Sequence, residues 1–314
     1  MKKVLGIICG ILFLIVASII FWDQLKSFKI NDVINSNQSN QKIQIKITPA
    51  KIPQKNSNAT ALNINAKAAY LIDVDSALPL FSQNETQKLP IASTTKIATA
   101  MVVLDNYKDR LNDTVTITQP MINVIPSVIG LKVGEKITVD NLLNGMLIMS
   151  GNDAAYSLTE YFGGKEKFVA EMNAKAREIG LENTEYKDPA GLNDEGYSTA
   201  KDLALIASYA LHNPKFLEIV STSTKTISST NGQISHELIS TDKLIVPTEK
   251  YYYPNIVGGK TGYTDKAGRV LVSLAKQDNR QLLAVIINTN DSSIDAAAGE
   301  SKKLFEWGFG NFTW

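Results

Sequence analysis

Ser93-Thr94-Thr95-Lys96, Ser150-Gly151-Asn152 and Lys260-Thr261-Gly262 succeed one another along this chain of 314 residues. Together they supply a serine hydroxyl, amines and hydroxyls to move its proton, and a small-residue backbone against which a peptide could lie. A serine hydroxyl is a weak nucleophile, and a neutral amine beside it can take its proton as the bond to a substrate carbonyl forms. At i, i+3 on a helix, Ser93 and Lys96 share one face. Lys96 can be neutral near pH 7 only if burial and a second cation, here Lys260, lower its pKa.

Each motif also has an ordinary reading. Ser-x-x-Lys occurs five times, beginning at Ser39, Ser93, Ser198, Ser240 and Ser273, and a helix cap with a solvated lysine accounts for an isolated match. Ser150 could relay a proton while Asn152 holds a substrate amide. Equally, Gly151 could form a turn and Asn152 cap the next helix; Ser229-Thr230-Asn231 repeats the pattern. Lys260-Thr261-Gly262 comes after Val257-Gly258-Gly259, and glycine in a strand marks close approach of another backbone or a ligand. A peptide laid along such an edge would be held by main-chain hydrogen bonds, with Lys260 and Thr261 meeting a terminal carboxylate. The alternative is a hairpin with a surface lysine.

The elements that must carry these residues are legible from periodicity. Ala68 to Val74 and a segment near Phe81 read as paired strands. Ser93 opens a helix with apolar residues at Ile97, Met101 and Leu104, which places the candidate nucleophile at a helix N-terminus. Further helices are expected over 139–178, interrupted at Ser150-Gly151-Asn152 and Gly163-Gly164, and over 199–211, with Pro214 marking an end. Strands are expected at 256–260, 269–275 and 282–288, with a last helix from Ala296. Strands at both ends and helices between imply one sheet assembled from both parts of the chain and flanked by helices.

Lys and Arg number 32 against 31 Asp and Glu, so no global field attracts nucleic acid. Two lysines precede an apolar run from Val4 to Trp22, which is long enough to cross a bilayer and oriented to export the remainder of the chain. An uncleaved membrane anchor is expected over 1–22, with a secreted product if the segment is cut near Val16-Ala17-Ser18. Residues 23–60, rich in Asn, Gln, Lys and Ser, read as a disordered linker to a domain at 61–314. Ile43, Ile45 and Ile47 alternate as a short strand would. The single cysteine, Cys9, and two histidines leave no disulfide and no zinc site, hence serine chemistry without cofactor or metal.

The three motifs and their surroundings (Ala69-Tyr70-Leu71-Ile72-Asp73-Val74, Gly191-Leu192, Tyr263-Thr264, Ser301-Lys302-Lys303-Leu304-Phe305 and Trp307-Gly308-Phe309) resemble the serine-type D-alanyl-D-alanine carboxypeptidases, which are low-molecular-mass penicillin-binding proteins. The likeness runs from about Ala66 to Phe312. It implies an α/β (α+β) penicillin-recognising fold, with an antiparallel sheet flanked by helices, a helical subdomain and a cleft between them. It further implies removal of the terminal D-Ala from peptidoglycan stem peptides through an acyl-enzyme on Ser93, and acylation by β-lactam antibiotics. Lys96 would be the base, Ser150 and Lys260 would pass the proton on, and Asn152, Thr261, Gly262 and Tyr263 would bind substrate. The backbone N–H groups of Ser93 and Tyr263 would form the oxyanion hole.

Two departures stand out. Many relatives carry a further β-rich domain and a C-terminal amphipathic helix, whereas here Trp314 comes directly after the last helix, which favours the N-terminal anchor. Relatives often have an arginine before the Ser301 stretch that helps read the substrate carboxylate; here the residues are Asp295-Ala296-Ala297. That change leaves room for endopeptidase action on cross-links or for a non-catalytic penicillin-binding sensor. A serine β-lactamase would need a deacylating glutamate, and the corresponding frame reads Pro189-Ala190-Gly191-Leu192-Asn193.

Overall fold

The computed structural model describes residues 51–291 and 293–314. The expected anchor at 1–22, the linker up to residue 50 and the alternating isoleucines lie outside the described residues. Among the described residues, no helix is long and apolar enough to cross a membrane.

A five-stranded antiparallel sheet forms the centre. It consists of β2 (Ala66–Asp73), β3 (Pro79–Gln83), β8 (Ile256–Thr264), β9 (Gly268–Gln277) and β10 (Arg280–Thr289), in the order β3-β2-β10-β9-β8. Its middle strands read as unbroken apolar runs because both faces are covered. In β10, Leu283, Val285 and Ile287 enter the larger core, while Leu282, Ala284 and Ile286 enter a second core on the opposite face. The period of two therefore sorts one run of residues between two interiors. Ala68, Tyr70 and Ile72 of β2 face the first; Ala69 and Leu71 face the second.

The last helix, α8 (Ala296–Asn311), covers the second face with Leu304, Phe305 and Trp307. The first face packs on a helical block inserted between β3 and β8: α1 (Lys96–Asn106), α3 (Val139–Ile148), α4 (Asn152–Tyr161), α5 (Lys165–Ile179), α6 (Ala200–Leu211) and α7 (Pro214–Val220), with the short α2 (Gln119–Ile122). Two small two-stranded antiparallel sheets, β4 (Thr114–Thr116) with β5 (Lys136–Thr138) and β6 (Thr224–Ser228) with β7 (Ser235–Ile239), edge this block. The expected mixed fold is the one observed.

Three expectations shift. Residues 54–60 belong to the domain: β1 (Gln54–Lys55) pairs antiparallel with β11 (Phe312–Thr313), and the Trp307 indole donates to the Thr60 carbonyl at 2.8 Å. The polar composition of this stretch fits a two-residue strand lying on the surface of a formed core. Pro214 does stand after the end of α6, but it also opens α7, where Asn213 Oδ1 caps the N–H groups of Lys215 and Phe216; proline at N1 gives up no helical hydrogen bond. Lys260-Thr261-Gly262 lies in the middle of β8 rather than at its end, on the free edge of the sheet.

Trp307 joins these terminal pieces, with Phe81 and Phe312 edge-on at 5.9 and 5.5 Å. Trp307→Ala should lower unfolding free energy by about 3–5 kcal/mol in urea denaturation. A loss below about 1 kcal/mol would mean that the 54–60 and 312–314 segments contribute nothing through it.

Candidate active site

Ser93 stands on a 3-10 turn, Ala92–Thr95, that runs straight into α1. The turn is held by Thr94, whose hydroxyl donates to the Ile91 carbonyl at 2.7 Å. Ala92 just before it has φ +48°, a backbone strain of the kind that clusters where a side chain must be presented. Ser93 is half-buried and lines a cleft of about 510 Å³ together with Ser150, Thr241, Thr261, Gly262, Tyr263 and Arg269.

One turn on, Lys96 is fully buried. Its Nζ lies 2.8 Å from Ser93 Oγ, 2.8 Å from Asn152 Oδ1 and 2.9 Å from the Ala190 carbonyl. The last two oxygens can only accept, so they take two N–H bonds of the amine. The remaining direction points at Ser93. If Lys96 is neutral, that direction is its lone pair, aimed at the hydroxyl whose proton it must take. Burial pulls its pKa from 10.5 down to about 7, against the opposing pull of the Asp188 and Asp153 carboxylates. Burial is the dominant cause, as expected, and Lys260, the expected second cation, shares the enclosure: its own pKa is driven well below its usual value by desolvation first and Lys96 second.

Lys260 is also enclosed, and its Nζ donates to Ser150 Oγ at 2.8 Å and to the Thr261 carbonyl at 2.9 Å. Ser150 has φ +63°, which turns its hydroxyl out of the α3–α4 corner toward the cleft. Thus Ser93, Lys96, Ser150, Asn152, Lys260 and Thr261, named from three distant motifs, converge. Thr261 Oγ1 bonds Thr241 Oγ1 at 2.5 Å. Tyr263 is half exposed at the cleft rim.

Asn152 also has partners within the protein: its Oδ1 is taken by Lys96 and one Nδ2 N–H donates to the Ile125 carbonyl at 2.8 Å, which leaves the second Nδ2 N–H for a substrate amide. Asn152 thus orients the base and pins one cleft wall. Asp153 secures the same wall by accepting from the N–H groups of Ile129, Gly130 and Leu131.

Asp188 had no sequence reading. Its two oxygens accept four N–H groups, those of Ala190, Gly191, Leu192 and Asn193, and thereby hold the Ala190 carbonyl against Lys96. An Asp two to five residues before a run of backbone donors is an Asx-type turn signal, and Asp188-Pro189-Ala190-Gly191 carries it. Of the Ser-x-x-Lys matches among the described residues, Ser198 bonds Thr184 and Ser240 accepts from Asp242 N; neither meets its lysine. Asp242, fully buried, has its pKa raised to about 6 by desolvation despite the nearby Lys260. No group of three or more potential metal ligands occurs among the described residues.

Gly262 fixes the sheet edge against the nucleophile turn. A methyl there would lie 2.9 Å from both the Ile91 oxygen and Ser93 N. Gly191 meets a tighter limit, with φ +77° and the Ala92 oxygen 1.8 Å from where a Cβ would stand.

The chain matches, over residues 54–291, the peptidase family described as D-alanyl-D-alanine carboxypeptidase, and it belongs to that family of serine peptidases. It is 35% identical over 242 residues to the D-alanyl-D-alanine carboxypeptidase DacF of Bacillus subtilis, covering 76% of this chain and 61% of that protein. It is 34% identical over 248 residues to DacB2 of Mycobacterium tuberculosis, covering 78% and 82%. The crystal structure of a D-alanyl-D-alanine carboxypeptidase from Mycobacterium tuberculosis superposes with TM-score 0.74 at 32% identity, covering 82% of this chain and 96% of that one. The chain therefore spans less than two thirds of the Bacillus relative's length, but most of the mycobacterial proteins.

Ser93 reactivity should track the Lys96 proton. Below pH 7 the amine is protonated and cannot act as base, so the second-order rate of Ser93 acylation should fall as pH drops through about 7 and level off above it. A rate unchanged between pH 5 and 8 would contradict this. Gly262→Ala should slow acylation by about 10- to 100-fold with circular dichroism unaltered, because it pushes β8 off the Ser93 turn; an unimpaired rate would show that the contact has slack.

Proposed function

We propose that this protein removes the terminal D-Ala from peptidoglycan stem peptides through a serine acyl-enzyme. The observation that carries the reading is the Lys96 amine, buried and held by two acceptor-only oxygens so that its third direction meets Ser93 Oγ. Ser93 Oγ attacks the carbonyl of the penultimate D-Ala while its proton passes to Lys96. The backbone N–H groups of Ser93 and Tyr263 receive the developing oxyanion. The C–N bond then breaks as the proton held by Lys96 is passed on through Ser150, which Lys260 hydrogen-bonds, to the leaving D-Ala amine, and Lys96 is neutral again to take a proton from the incoming water. Water attacks the ester, and the carboxylate product leaves with Ser93 restored.

β-Lactams present a strained amide to the same serine and become covalently attached to it. Asp188 stands closest in sequence to where a deacylating acid would be sought, but its four N–H partners occupy it. This supports a long-lived adduct rather than the rapid hydrolysis of a β-lactamase. Residues 1–22 would hold the domain at the outer face of the cell membrane, where its substrate is.

Diacetyl-Lys-D-Ala-D-Ala should release D-Ala, and Ser93→Ala should abolish release by about 10³-fold or more. Penicillin should add its full mass to Ser93 and remain there over many minutes. Release that persists in Ser93→Ala, or prompt loss of the adduct, would sink the proposal.

A further inference from the structure

Arg269 is the cleft's uncommitted cation. It faces Tyr263 directly across the β8–β9 ladder, and its guanidinium carbon lies 3.9 Å from the Tyr263 ring centroid. Its Nε is buried with no hydrogen-bond partner, and its side chain makes no ion pair with any described residue. Stacking on an aromatic ring fixes the plane of a guanidinium without using its N–H donors. Arg269 therefore presents an oriented fork with donors to spare.

The other charged groups of the cleft are engaged. Lys243 pairs with Glu249, and Lys260 serves Ser150 and the Thr261 carbonyl. The start of α8 contributes only Ala297 and Ala298 to this wall, with Ile294 before them, so among the described residues no cation lines the cleft from that side. Asp265, the acid nearest in sequence, accepts from the Tyr263 hydroxyl at 3.0 Å. On the same wall the hydroxyls of Thr241 and Thr261 line the cleft.

We infer that Arg269 is the residue that reads the C-terminal carboxylate of the substrate, gripping it from the strand side in the cleft where the helix side offers only methyl groups. The inference rests on the carboxypeptidase reading and names the specificity residue of that same site. A planar fork matches a carboxylate with two parallel N–H···O bonds. The carboxylate would sit between Arg269 and the Thr261 hydroxyl, at a fixed distance from the scissile bond. An acyl donor that ends in a free acid is thereby preferred over one that is blocked.

The test compares acylation of Ser93 by benzylpenicillin with acylation by its methyl ester, read by mass spectrometry, in the parent, Arg269→Gln and Arg269→Lys proteins. The parent should favour the acid. Arg269→Gln should reduce the acid-to-ester ratio by about 10- to 100-fold, and Arg269→Lys should fall between, since it keeps the charge but not the fork. Release of D-Ala from diacetyl-Lys-D-Ala-D-Ala should lose through KM more than kcat. An acid-to-ester ratio unchanged in both variants would overturn the role of Arg269 while leaving the peptidase intact. No acylation of the parent by either compound would overturn the carboxypeptidase reading itself, and this inference with it.

Discussion

A lysine amine shut away from water beside a serine hydroxyl is the constraint on which this site depends. Charging an amine in a dry interior is opposed by the lost hydration. A pKa drawn from 10.5 to about 7 at Lys96 corresponds to about 5 kcal/mol in favour of the neutral form. The unfolded chain would keep that proton to about pH 10, so the group opposes folding most below pH 7 and ceases to do so above 10. Holding Lys260 in the same enclosure adds a repulsion that the native state must bear. The surrounding structure is arranged to make that tolerable: acceptor oxygens on both amines, and carboxylates at Asp153 and Asp188 that are themselves fixed by backbone N–H groups.

The catalytic atoms come from elements that do not share a local neighbourhood. The Ser93 turn enters α1, Ser150 occupies the corner between α3 and α4, Lys260 stands on the edge strand β8, and the Ala190 carbonyl is offered by a loop built around Asp188. The sheet edge can approach only because Gly262 has no side chain to strike the Ser93 turn. Strained backbone at Ala92 and Ser150 flanks the two hydroxyls. Each element is made rigid by a core that the active site does not use, so the chemistry sits at the seam between the sheet and the helical block.

Much of this was visible in the chain. Sheet strands were readable because burial on both faces makes them unbroken apolar runs, as in Leu282 to Ile287, and the helices because one face repeats, as at Ile97, Met101 and Leu104. The order of the three motifs was enough to nominate Ser93, Lys96, Ser150, Asn152 and Lys260. The features that escaped depend on partners far away in sequence. The β1–β11 pairing joins residues over 250 positions apart. Asn152 bonds Lys96 and the Ile125 carbonyl, 56 and 27 residues distant, partners that no local pattern encodes. Asp188 shows its role only once its loop has closed, and Arg269 only once β8 and β9 pair and set it opposite Tyr263.

The ionisation of Lys96 can be observed directly by nuclear magnetic resonance, tracing its side-chain signal across pH in protein labelled at lysine and assigned by comparison with Lys96→Arg. A midpoint near 7, far below the surface lysines, is the result required if burial beside Ser93 makes the amine a base. A midpoint above about 10, the ordinary lysine value, would mean that Lys96 stays an ammonium at working pH and donates to Ser93 rather than accepting from it.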